Sequence, residues 1–62
     1  MLTLPVHIYI SEFGEILAYS DWKYGIIVEN DYSIDKIEKK IKRLVQSFPE
    51  YSHEEIDFDY DL

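Results

Sequence analysis

The last eight residues run Glu55-Ile56-Asp57-Phe58-Asp59-Tyr60-Asp61-Leu62, with acidic and apolar side chains in strict alternation. A period of two is the spacing of a strand, and no helix can set Ile56, Phe58, Tyr60 and Leu62 on one side. The segment therefore reads as a half-buried strand whose apolar face needs a covering layer. Asp has poor strand propensity, so packing on that face has to hold the element in place.

The covering layer is legible just upstream. Ile34, Ile37, Ile41, Leu44, Val45 and Phe48 recur mostly at spacings of three and four, which makes one apolar stripe on a helix. Ser33 suits the N-cap, Asp35 lies in the first turn, and Tyr32 with Ile37 takes the two positions of a hydrophobic staple. Lys36, Lys39, Lys40, Lys42 and Arg43 cover the polar side. Pro49 ends the helix, because the residue before a proline is pushed out of helical geometry.

The first half of the chain reads as strands. Val6, Ile8 and Ile10 alternate with His7, Tyr9 and Ser11, and Pro5 fits the first position of that strand. Gly14, within Glu12-Phe13-Gly14-Glu15, supplies the positive φ of a tight connection to an antiparallel second strand, Ile16-Leu17-Ala18-Tyr19. Gly25 interrupts the next segment, so 21–25 reads as a loop or bulge and 26–28 as a short third strand, broken by Glu29-Asn30-Asp31. The expected fold is α+β in a single domain, 1–62: one small antiparallel sheet of three to four strands with one amphipathic helix packed on it, in the order β-β-(β)-α-β.

At 62 residues without cysteine, neither a disulfide nor a thiolate zinc site staples the chain, and a core this small supplies roughly 3–5 kcal/mol. Burial against a partner or a second copy is the remaining source of stability, and a homodimer is one expectation. No basic leader and no apolar run long enough to span a bilayer is present, so the expected location is cytoplasmic, away from membranes.

The net charge of −7 is unevenly spread. Residues 1–31 hold five acids and one Lys, 32–48 two acids and five bases, and 49–62 six acids and no base. A basic helix thus sits beside an acidic C-terminal strand. Carboxylates two residues apart on one strand face repeat at roughly 6.8 Å and repel one another. Three readings share this row of Glu55, Asp57, Asp59 and Asp61. It is a solvated or aggregation-guarding face, a mate for the basic helix of another subunit, or a docking strip that occupies a groove built for phosphates. Trp22 and Tyr24, flanking Lys23, read equally as interface anchors or as core.

Catalytic chemistry finds no footing. His53-Glu54-Glu55 lacks the second His, four positions on, of a metalloprotease helix, and His7 stands far from it. The acidic strand lacks the glycine-containing loop of a calcium site. No nucleophile, base and orienting group can be assembled, and no cofactor signature is present, so the expectation is a non-enzyme with no metal or cofactor. The acidic balance also opposes direct contact with nucleic acid.

The hairpin Val6-His7-Ile8-Tyr9-Ile10-Ser11-Glu12-Phe13-Gly14-Glu15-Ile16-Leu17-Ala18-Tyr19-Ser20, followed by the helix from Tyr32 to Leu44, resembles the small β-β-β-α-β domain of HicB-type antitoxins. Asp21-Trp22-Lys23-Tyr24-Gly25 stands where that family has a Pro-Gly-Cys stretch. Small acidic phage proteins that inhibit host factors are similar in size and charge. The resemblance implies a protein-neutralising role without catalysis. Together these readings point to an acidic inhibitor, of the nucleic-acid-mimic kind, of a basic nucleic-acid-binding or nuclease-like protein, with an antitoxin-like or structural homodimer as the alternative.

Overall fold

The computed structural model describes residues 1–61, in which there are four strands, one α-helix and one turn of 3-10 helix: β1 (Leu2–Ile10), β2 (Ile16–Trp22), β3 (Gly25–Asp31), α1 (Ile34–Gln46), the 3-10 turn (Pro49–Tyr51) and β4 (Ile56–Asp61). The strands form one sheet in the order β3-β2-β1-β4. The expected α+β fold and element order are present, and the third strand, left optional by the sequence, is a full partner of β2.

The sheet is mixed rather than antiparallel. β1 pairs antiparallel with β2 and β2 with β3, but β4 runs parallel to β1, from Leu2↔Ile56 to His7↔Asp61. The reason lies between β3 and β4. Parallel neighbours need a crossover of a dozen or more residues, and the 13-residue α1 supplies it. Alternation along a strand has the same period in either direction, so the sequence of β4 was blind to this choice.

Three boundaries also differ from the sequence expectation. β1 begins at Leu2, so Pro5 lies within the strand instead of opening it. Leu2 N–H donates to Glu55 O, which turns the nitrogens of Thr3 and Pro5 toward the β2 side. Pairing with β2 starts only at His7, so the N–H that proline lacks is not called upon there. Second, the expected loop at 21–25 shrinks to Lys23-Tyr24, with Trp22 paired to Gly25. Gly25, at φ 125°, takes the positive-φ position after the turn, which no other residue type occupies cheaply. Third, β3 extends through Glu29-Asn30-Asp31.

The first hairpin closes as the glycine implied. Gly14 has φ 86°, and its N–H donates to Ser11 O at 3.0 Å. The Ser11 hydroxyl oxygen accepts from the N–H groups of Phe13 and Glu15 at 3.2 and 3.1 Å. In α1, Ser33 caps as expected, its side chain accepting from Lys36 N–H at 3.5 Å. Tyr32 is 69% exposed, too open to act as the staple over buried Ile37.

One face of the sheet meets α1. Ile37, Ile41 and Val45 interlock with Leu4, Val6, Ile16, Ala18, Ile27 and Ile56, flanked by Leu2, Ile8, Trp22, Ile34, Phe58 and Tyr60. Leu44, assigned to the apolar stripe, points off its edge and is exposed. The apolar alternates of β4 face the helix as expected for Ile56, Phe58 and Tyr60, while Leu62 lies outside the described residues.

Candidate functional site

Among the described residues, nothing forms a second layer on the opposite face of the sheet. Alternation places Thr3, Pro5, His7 and Tyr9 of β1 there, with Leu17, Tyr19 and Asp21 of β2, Ile26, Val28 and Asn30 of β3, and Asp57, Asp59 and Asp61 of β4. Pairing sets these in rows, one of which reads Val28, Tyr19, His7, Asp61 across all four strands. The face is graded. Apolar and aromatic groups fill the β3 side, with Ile26 at 65% and Val28 at 58% exposure, and carboxylates line the β4 edge.

Asp57, Asp59 and Asp61 project into solvent from the outermost strand, so the structure brings three of the four expected acids into one line. Glu55 precedes the strand. Its backbone oxygen anchors Leu2, and its charge adds a little to the raised amino-terminal pKa, which the hydrogen bond and charge of neighbouring Glu54 chiefly cause. Glu54 itself makes the ion pair with the Met1 amine, at 2.7 Å. The strip is therefore shorter than the sequence alternation implied, and its upstream end is partly neutralised.

At the downstream end, His7 Nδ1 lies 3.3 Å from Asp61 Oδ2. The His7 ring stacks on Tyr19 at 4.7 Å between centroids, and Tyr19 stacks on Tyr9 at 5.9 Å. The Tyr19 phenol is raised above its ordinary pKa by the neighbouring Tyr9 hydroxyl and by desolvation, with Asp21 and Asp61 adding to the shift. Asp21 and Asp61 thus place negative charge beside the aromatic ladder. None of the strand residues on this face is Lys or Arg.

The helix carries its basic groups on the other side, and two of them have partners there. Lys40 pairs with Asp31 at 3.2 Å and donates to Asn30 O at 3.0 Å, while Lys42 stands 5.8 Å from the centre of the Phe58 ring. The molecule has a basic helical side and an acidic sheet side, as the charge blocks along the chain implied.

Trp22 and Tyr24 sit away from the open face, in an aromatic cluster that closes the C-terminal end of α1. Trp22 is half-buried and meets Tyr24 and Phe48 edge-on, each at 5.2 Å, with Tyr51 at 6.0 Å. Tyr24 stacks on Phe48 at 4.7 Å and keeps 50% exposure. Lys23 bridges this cluster to Glu50 at 2.6 Å. The core reading accounts for Trp22, while the Tyr24 ring leaves an accessible edge.

The apolar side of the open face escaped the sequence reading. Its signal was present in Ile16-Leu17-Ala18-Tyr19 and Ile26-Ile27-Val28, runs that are apolar at successive positions and so mark strands with two apolar faces. Among the described residues, no three His, Asp or Glu side chains gather as a metal-binding group, and no helix is long and apolar enough to cross a membrane. Comparison of the chain with known protein families, with curated proteins and with solved structures finds no match.

Proposed function

We propose that this chain is a small acidic protein-binding inhibitor that neutralises a basic, nucleic-acid-handling protein through its acidic strand, without catalysis and without itself contacting nucleic acid. One observation carries the reading. Asp57, Asp59 and Asp61 stand in line on the exposed side of an edge strand, on a sheet face with no Lys or Arg among its strand residues. Side chains two apart on such a strand repeat at about 6.6 Å, close to twice the 3.4 Å rise of phosphates along one nucleic-acid strand. A groove that binds phosphates offers cations at a compatible interval. Glu55 flanks the strip, and the accessible edge of Tyr24, beside Trp22, is a second contact at the far end of the sheet.

The test is capture from a cell lysate at low salt, comparing the native chain with Asp57→Asn/Asp59→Asn/Asp61→Asn. The native chain retains a basic protein, releases it as salt rises, and blocks its binding to nucleic acid. Equal retention by the triple variant removes the strip from the mechanism.

The β-β-β-α-β order and the Ser33-capped helix favour a second reading, a HicB-like antitoxin or structural homodimer. In that arrangement the acidic strand meets the basic helix of its mate. A monomer at micromolar concentration in sedimentation eliminates the homodimer.

A further inference from the structure

We propose that the open sheet face, resting on the acidic-strand reading above, is a seat for an amphipathic helix of the partner, one whose apolar stripe is bordered on one side by Lys or Arg. The face offers two chemistries side by side. Leu17, Tyr19, Ile26, Val28 and Tyr9 form an apolar and aromatic band over β3, β2 and the end of β1, and Asp57, Asp59 and Asp61 border it along β4. Isolated apolar residues on a surface need no explanation, but a contiguous band rimmed by charge on one side marks an interaction surface.

The dimensions select the occupant. Three inter-strand gaps of about 4.8 Å put the outer strands about 14 Å apart. A helix about 10–12 Å across, laid along the strands, covers the apolar band and brings the cations on one of its flanks over β4. The seven residues of β3 span about 23 Å, the length of a helix of about 15 residues. Such a helix completes a helix-sheet-helix sandwich.

Charge argues against a second copy as the occupant. Each copy carries −7, and the apolar stripe of α1 is spent on its own core, which leaves mainly its Lys and Arg side and Leu44 to offer. The exposed apolar band argues against a purely cationic ligand, which would leave Ile26 and Val28 uncovered.

The experiment uses three synthetic probes against the isotope-labelled chain: a 15-residue helical Leu/Lys peptide with its lysines along one flank, a scrambled peptide of the same composition, and oligolysine of equal charge. Amide shifts at Tyr9, Leu17, Tyr19 and Val28 should follow the amphipathic peptide alone, while Asp61 responds to oligolysine as well. Ile26→Thr/Val28→Thr, which keeps both positions β-branched, should weaken that peptide about tenfold, equivalent to about 1.4 kcal/mol. Scrambled peptide binding as tightly, shifts confined to α1, or an unaltered affinity in the Thr variant overturns the proposal. A dimer that already buries these amides without peptide also overturns it, in favour of a second copy. If Asp57→Asn/Asp59→Asn weakens all three probes while the Thr variant weakens none, the acidic strip stands and the helix seat alone falls. Binding of every probe that ignores the Asn variant removes the strip itself.

Discussion

The Tyr60 hydroxyl donates to the Glu38 carboxylate, joining the edge strand β4 to the middle of α1. The contact ties the acidic strand to the core through its apolar side. Burial, and then the adjacent Glu38 charge, push the Tyr60 phenol above its ordinary pKa. The hydroxyl accordingly stays protonated and remains a donor.

Tyr60→Phe keeps the ring and removes the donor, leaving the half-buried Glu38 carboxylate without this partner. A loss of about 1–2 kcal/mol is expected in denaturant melts. The pH dependence comes from the raised folded pKa. Above the ordinary phenol value of about 10 the unfolded chain binds fewer protons than the folded one. Stability from this contact is therefore full below about pH 10 and declines as pH rises toward the folded value, a decline that Tyr60→Phe should lack.

Ser20 is fully buried on the helix-facing side of β2, and among the described residues its hydroxyl has no hydrogen-bond partner. Ser20→Ala removes a desolvated polar group at the cost of a very small void. The variant is expected to be more stable by about 1 kcal/mol in the same melts.

Asp31 ends β3 and accepts from Tyr32 N–H at 2.6 Å, and Lys40 lies 3.2 Å away. The backbone N–H first, and then Lys40, hold its carboxyl below the usual range. A depressed folded pKa contributes stability that is present above the unfolded value, near 3.9, and is lost as pH falls through the folded one. The stability gap between the native chain and Asp31→Asn should thus be widest above about pH 5 and should close on acidification.

Asp57 and Asp59 repel each other across solvent, and no cation on their face offsets this. Asp57→Asn/Asp59→Asn should raise the melting temperature at low salt, with the difference shrinking by about 0.5 M salt as screening shortens to a few ångströms. A gain in stability on removing the acids is what a strip kept for binding entails. A loss would mean that the carboxylates are structural.

Local chemistry was written plainly in the chain. Ser33 at the start of α1, Gly14 in the first hairpin, the stripe through Ile37, Ile41 and Val45, and the alternation from Ile56 onward all appear where propensity and periodicity placed them. These features depend on neighbours within a few residues, so the sequence by itself determined them. Only the tertiary structure decided the direction of β4, since a period of two is the same up or down a strand and a crossover through α1 is what makes it parallel to β1. The fold also moved Trp22 from a loop into the aromatic cluster with Phe48 and Tyr51, residues far along the chain on the other side of α1. The open face was decided there too. Leu17, Tyr19 and Val28 stay uncovered because the helix can bury only one side of the sheet, and pairing then sets Asp61, from the far end of the chain, in the same row as Val28.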